Sequence, residues 1–516
     1  MANNPVGRAT DDPTRRDWIA IYCAILGAFL AMMDIQITNS SLKEIQGALS
    51  ATLEEGSWIS TSYLVAEIIM IPLTAWLTQL LSVRRLAIWV TSCFMLSSML
   101  CSLAWNLESM IIFRALQGFS GGALIPLAFT LSYMKVPDRM RPRTMALFAL
   151  TTTFAPAIGP TLGGWLTENL GWQYIFYINL PPALLMIAGL MYSLDKQKPH
   201  WELLKQTDYA GILCMAIGLG CLQVFLEEGY RKDWLESTLI VSLGCIAFIA
   251  LGLFIILQFT RENPLINLRI LGERNFALGS ISIFFIGMAI YGTVFILTLY
   301  LAQIHSYNPQ QIGRVLLWTG LPQLLVIPLV PLLLRKVDPR WMCACGLTLI
   351  ALSTVANTGM SLDFAGEQLT HTLLIRAMGQ PLVIVTSSLI CMAFLMPQDI
   401  GSGSSLYNVL RNLGGAVGIA LIATLLDNRS KTYFDYLRES ILPSNPQVAE
   451  RLALLTEKLG SETAALGKIS EITHQQAQIM AFNDAFMAIA LGLAISLTAI
   501  LLTKKLPANV SVEPVH

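Results

Sequence analysis

Fourteen stretches of about 20 mostly apolar residues, each long enough to cross a bilayer as a helix, succeed one another along the chain. They cover 18–38, 58–80, 86–105, 110–133, 144–166, 173–193, 208–226, 237–259, 277–302, 312–333, 341–361, 370–395, 401–426 and 481–503. Two of them, 277–302 and 370–395, are long enough to tilt. A lone span in lipid must satisfy its own backbone hydrogen bonds, so these runs are predicted to be helices and the chain an all-α membrane protein. Most connections are short. The exception, 427–480, carries Tyr433, Tyr436 and Leu437, then Val448, Leu452, Leu455 and Leu459, which reads as short amphipathic helices around Pro443 and Pro446. Two roles fit such a segment: a helical cap over the last two spans, or a docking surface for a periplasmic partner.

Composition narrows this picture. Apolar residues form 54% of the 516 and charged residues 13%, against roughly 25% charged in a soluble domain. The first seventeen residues are polar, and the apolar run after them has no small-residue cleavage site, so it is expected to stay as the first span. Lys and Arg set the orientation. With the N-terminus inside, the inner loops and both tails hold 20 of the 33 basic residues, among them Arg84, Arg85, Lys135, Arg139, Arg141 and Arg143. The short outer loops hold only Lys43, Arg231 and Lys232. Both termini are therefore expected in the cytoplasm and 427–480 in the periplasm. A net charge of zero gives no sign of a nucleic-acid partner. The nine cysteines lie in or beside apolar runs without metal-ligand spacing and read as small hydrophobes, not as a metal site.

Ionisable residues inside the spans are costly at membrane depth, which makes them the candidate functional groups. At about 1.5 Å per residue, Asp34 lies about 24 Å from the inner edge of the first span and Arg114 about 6 Å from the outer edge of the fourth. In a core of about 30 Å both occupy the outer third, so a charge pair, direct or through a polar bridge, is expected. Glu67 lies about 14 Å into the second span, with no basic residue of spans one or two at its level. A carboxyl there is costly to ionise, which suits a proton carrier or substrate contact; a neutral acid hydrogen-bonded between helices is the alternative. Arg411, near the middle of span thirteen with Asn408 and Asn412 around it, must face a polar cavity. Spans four and twelve both open with an apolar run and an arginine, Arg114 and Arg376. Two six-helix bundles related by a parallel repeat, plus two additional transmembrane helices, then account for fourteen. The expected division is a tail at 1–17, a bundle at 18–193, two linking helices within 194–276 packed outside the bundles, a second bundle at 277–503, and a tail at 504–516.

In span five, Ala155-Pro156-Ala157-Ile158-Gly159-Pro160-Thr161-Leu162-Gly163-Gly164 joins glycines that admit a close neighbour to a proline that removes a backbone donor. This run resembles the antiporter motif of major facilitator superfamily exporters. Three further stretches resemble fourteen-span drug:proton antiporters of the EmrB/QacA type. They are Met33-Asp34 through Thr38-Asn39, Arg114-Ala115-Leu116-Gln117-Gly118, and the run from Gly171-Trp172 through Phe176 and Asn179 to Pro181. Asn408, Arg411, Gly414 and Gly415 are similar to the late-helix pattern of that family. The resemblance implies a major facilitator fold, gating at Gly159, Pro160, Gly163 and Gly164, and proton coupling through Arg114 with Asp34. With Glu67 added from its depth, the expected substrate cavity is formed by Glu67, Gln117, Asn408 and Arg411. One stretch departs. The family's loop after span two carries Gly-x-x-x-Asp-x-x-Gly-Arg, whereas here Ala75, Gln79 and Ser82 replace the glycines and the acid while Arg84 and Arg85 remain.

The expected function is proton-coupled export of small amphipathic drugs or toxic metabolites across the bacterial inner membrane, with no cofactor. The likeness is to the EmrB branch, whose members work with a periplasmic adaptor of the EmrA type and a TolC-type outer-membrane channel, and it implies such partners here. A dedicated siderophore or fatty-acid exporter is the nearest rival. A proton-coupled nutrient importer is a third reading, against which the Gly159-Pro160 element argues. No nucleotide loop, histidine pair or Ser-His-Asp set suggests an enzyme.

Overall fold

Long apolar helices dominate the computed structural model, which describes residues 12–261, 264–441 and 445–506. Most of the expected tails 1–17 and 504–516, and Pro443, lie outside that range. Fourteen helices are long and apolar enough to cross a membrane. They are α1 (Arg15–Ser40), α2 (Trp58–Leu81), α3 (Val83–Ser102), α4 (Leu107–Met134), α5 (Asp138–Asn169), α6 (Tyr174–Ser193) and α7 (Tyr209–Gly229). Then follow α8 (Thr238–Thr260), α9 (Arg274–Gln303), α10 (Gln310–Leu333), α11 (Pro339–Gly359), α12 (Gly366–Met392), α13 (Pro397–Glu439) and α14 (Glu462–Leu501). No strand occurs among the described residues. Each helix overlaps one of the fourteen apolar stretches.

Local chemistry fixes where several of these helices start and break. Thr14 and Asp17 form a capping box at the start of α1, as do Asn106 and Ser109 at α4. Pro322, Pro328 and Pro331 divide α10 into Pro309–Gly320, Gln323–Val326 and Val330–Leu333, because each proline lacks the amide hydrogen its turn needs. α6 breaks between Tyr174–Tyr177 and Leu180–Ser193, with Asn179 at the junction ahead of Pro181 and Pro182. In the loop after α2, Ser82 adopts φ +76°, a conformation that favours glycine, where the family pattern places one.

The segment 427–480 differs from the expectation. Instead of short helices only, α13 continues to Glu439 and α14 begins at Glu462, with one short helix, Pro446–Leu459, between them. The sequence 427–439 contains no proline or glycine, and polar helix formers carry the backbone ladder on after the apolar run stops. Lys431 and Asp427, one turn apart, bond at 2.6 Å on this extension. Gly460, at φ +72°, ends the short helix with a left-handed residue.

Packing repeats between the two halves. α1 packs on α5 and α6, and α9 packs in the same way on α13 and α14; α3 pairs with α4 as α11 pairs with α12. The halves meet along α5–α10 and α2–α13. At the first of these seams the helices touch directly, since a Cβ on Gly313 would meet the backbone of Thr161 at 3.0 Å. At the second, α7 lies against both α2 and α13. α8 packs on α7. α7 departs from the expectation that both linking helices stay outside the cavity. α7 contributes Gln223 and Glu227 to the cavity wall.

Candidate functional site

Asp34 on α1 and Arg114 on α4, each only 1% exposed, form an ion pair at 2.5 Å. Counting depth along two helices was enough to predict this meeting. The rest of the cluster completes the polar bonding of both groups. Gln117 donates to Asp34 Oδ1 at 2.9 Å and Asn179 donates to the same oxygen at 2.7 Å. Arg114 also donates to Gln117 Oε1 at 2.7 Å and to the Ile59 carbonyl at 3.3 Å, and its guanidinium lies 4.4 Å from the centre of the Tyr63 ring. A buried pair is tolerated only when its remaining donors and acceptors are met, and here they are met by the side chains of Gln117 and Asn179 and the carbonyl of Ile59. The break in α6 explains Asn179: it caps Leu180–Ser193 at the interruption, and its side chain turns into the bundle.

Ile59, Tyr63 and Glu67 occupy one face of α2 at spacings of four residues. The first two contact Arg114, and the third reaches a cavity of about 340 Å³ between the bundles. α4 lies very close to this stretch of α2. A Cβ on Gly118 or Gly122 would collide with the backbone of Tyr63 or Glu67. Helix α2 therefore joins the ion pair mechanically to the cavity.

Polar groups facing the cavity include Gln36, Asn39, Glu67, Gln223, Glu227 and Asn412, among apolar walls such as Ile35, Leu64, Tyr291 and Phe295. Towards the extensions of α13 and α14 beyond their apolar runs lies a second space of about 630 Å³, lined by Glu227, Arg231, Asp427, Lys431 and His474. Glu227, Arg231, Phe295, Ala416 and Ile419 border both spaces.

Several expected positions need correction. Glu67 is not without a cation. Arg411 and Arg114 both act on its carboxyl electrostatically, and Asn412 lines the same cavity. Its partners come from α13 and α4, which a search of spans one and two could not reveal. Gln117, expected in the substrate cavity, is fully buried and belongs to the Asp34 cluster. Asn408 is also fully buried; its amide returns to the Ser404 carbonyl of its own helix at 2.8 Å, so its side chain does not reach the wall. Arg411 is 3% exposed, and its guanidinium nitrogens make no hydrogen bond among the described residues. The wall on α13 is formed instead by Asn412, Gly415, Ala416 and Ile419. A depth count gives the level of a residue but leaves open which way it faces.

The motif residues on α5 sit against α1. A Cβ on Gly159 would overlap Gln36, and one on Gly163 would lie 2.8 Å from the Ile37 carbonyl oxygen. Gly164 is buried, Pro160 is half-buried within the helix, and Pro156 borders the cavity.

Residues 24–419 match the sequence description of the Major Facilitator Superfamily. The chain is 34% identical over 487 residues to the colistin resistance protein EmrB of Acinetobacter baumannii, covering 93% of this chain and 94% of that one. It is 30% identical to the multidrug export protein EmrB of Escherichia coli K12, over 89% and 90% of the two chains. It is also 30% identical to the fatty acid resistance protein FarB of Neisseria gonorrhoeae, over 91% and 92%. The fold is similar to the crystal structure of the human organic anion transporter MFSD10 (TETRAN), with a TM-score of 0.56, 14% identity, and coverage of 92% of this chain and 99% of that one.

Proposed function

The chain belongs to the major facilitator superfamily, and from that footing we propose that it exports small amphipathic compounds, organic cations foremost, in exchange for protons. The observation that carries the reading is the arrangement on α2, whose one face contacts the buried Asp34–Arg114 pair and places Glu67 in the cavity. Antiport needs proton and cargo to exclude each other. Glu67 supplies this for a cationic cargo, because a cation needs the carboxylate and a proton removes it. Asp34 is the second proton site. Protonating it cancels the charge that holds Arg114, and the freed guanidinium stays against Ile59 and Tyr63, so the change is felt along α2. Gly159, Pro160, Gly163 and Gly164 make α5 the close-packed element that moves against α1 and α10 as the bundles rock. The moving bodies are the segments 18–193 and 277–503, joined through 194–276.

The bacterial relatives named for resistance or export support a place in the inner membrane, and the basic inner loops support cytoplasmic termini. The outer extensions of α13 and α14 are long enough to meet a periplasmic adaptor of the EmrA type leading to a TolC-type channel. A dedicated exporter of a carboxylate-bearing amphiphile is a second reading. The buried guanidinium of Arg411 and the 30% identity to a fatty acid resistance protein favour it.

Uptake of dyes into everted vesicles tests both. Asp34→Asn is expected to abolish proton-driven uptake of cationic and neutral dyes alike, while Glu67→Gln reduces the cationic dye far more than the neutral one. Normal transport by Asp34→Asn would end its proton role. Selective loss of an anionic dye in Arg411→Gln, with cationic dyes unaffected, would favour the second reading.

A further inference from the structure

The parallel repeat supplies two bundles and two seams, and the seams are closed differently. α5 and α10 meet directly through Gly313 and Thr161, whereas α2 and α13, which also touch each other, are flanked as well by α7, a helix that belongs to neither half of the repeat. α7 is fastened to both bundles near its outer end. Glu228 accepts hydrogen bonds from Ser57 at 3.0 Å and Thr61 at 3.4 Å on the first bundle. On the second, Leu226 packs with Ala416 and Ala420, and just beyond α7 Trp234 donates to Thr424 at 2.9 Å. The neighbouring side chain points elsewhere. Glu227 borders both the inner cavity and the outer space, and Gln223, one turn below, donates to its carboxylate at 3.1 Å.

We propose that α7 is a third wall of the transport path and that Glu227 is a cargo-binding residue, receiving the cationic group of an amphipathic substrate between Glu67 and the outlet. The proposal rests on the reading of the cavity as a site for cationic cargo. Geometry and charge carry it. A cation leaving Glu67 for the outer space passes the boundary shared by the two spaces, and Glu227 is the carboxylate on that boundary. Gln223 holds it in place, and Arg231, ion-paired with the neighbouring Glu228 at 3.7 Å, borders the same two spaces. The consecutive glutamates divide the work: Glu228 ties α7 to α2, and Glu227 faces the path.

That pair of neighbours also provides the control. Binding of tetraphenylphosphonium and of an uncharged dye of similar size is measured on the purified full-length protein. Glu227→Gln is expected to weaken tetraphenylphosphonium about tenfold, the scale of a hydrogen-bonded or paired charge contact, and to leave the uncharged dye unchanged. Glu228→Gln is expected to change neither. Equal weakening in both variants would make Glu227 a structural tie and overturn the proposal. If Glu67→Gln weakens the cation and Glu227→Gln does not, the proposal fails while the cationic cavity stands; if neither does, the cationic cavity itself is wrong. Should Glu227→Gln fail to fold, Glu227→Asp, which keeps the carboxylate, and Glu227→Ala, which removes it, give the same answer. Tetraphenylphosphonium is expected to bind the first about tenfold more tightly than the second, and equal binding overturns the proposal.

Discussion

Two arginines in corresponding helices hold different kinds of partner. Arg114 holds Asp34, a group that can change charge. Arg376 on α12 is equally buried, but it donates to the Thr293 hydroxyl at 2.8 Å and to the carbonyls of Ala289 at 2.9 Å and Ile290 at 3.4 Å, all neutral and all on α9. In the proposed mechanism only the first responds to a proton. Arg376→Gln is therefore expected to lower stability by about 1–3 kcal/mol, since the α9 groups lose charge-assisted donors, yet to keep proton-driven transport in the molecules that fold. Thermal unfolding in detergent and vesicle uptake read the two effects separately; lost coupling at unchanged stability would contradict the assignment. The sequence alone located Asp34 and Arg114, because each residue along a helix has a calculable depth and a lone buried charge demands a partner. Gln117 and Asn179 were not placed by the same reasoning. Amides carry no such penalty signal, and the α6 break that aims Asn179 becomes evident only when the helix is seen to stop.

At the scale of elements, apolar length decided which segments are helices, but not where helices end. Hydropathy stops where lipid stops, while the backbone ladder of α13 and α14 needs only helix-forming residues to continue. Glycine placement was more informative. The run from Gly159 to Gly164 on α5 predicted a close neighbour, and α1 is that neighbour. Because the closest obstacles to a Cβ on Gly163 include the Ile37 backbone, which cannot rotate away, Gly163→Leu is expected to push α5 off α1 and abolish export. Gly163→Ala should retain only part of it. Gly252 on α8 has no atom within 4 Å of a built Cβ, so Gly252→Ala should leave transport intact and raise helix stability by roughly 0.5–1 kcal/mol. Export assays on these three variants at matched expression check the claim. Full activity in Gly163→Leu would show that the contact is dispensable for movement.

At the scale of the whole molecule, the repeated arginine was enough to propose two bundles, yet it could not place α7. An apolar helix looks the same in sequence whether it faces lipid or closes a seam, and Glu227 and Glu228 read as loop residues just past the end of a span. The outer segment shows the same limit, and it allows the sharpest test of the assembly. α13 is 43 residues long, roughly 64 Å at 1.5 Å per residue, about twice the hydrocarbon core. Its extension is rooted on α14 by Tyr433 donating to Asp484 at 2.9 Å, by Arg429 at 3.3 Å from the same carboxylate, and by Phe434 beside His474. Above that root the surface turns apolar. Tyr436 is 70% exposed, Leu454 53% and Leu466 50%, and a groove of about 750 Å³ opens between Val448 and Leu452 of the short helix and Leu466 and Ile469 of α14. Such a surface is what the proposed adaptor would cover. Replacing 438–470 with a short Gly/Ser linker leaves the root in place, so membrane insertion and proton-driven transport in proteoliposomes are expected to persist. If the segment docks the proposed adaptor, resistance of intact cells is lost, because cargo released without that partner stays in the periplasm and re-enters. Resistance that survives the replacement would assign the segment to capping, and transport lost in proteoliposomes would place its role within the pump.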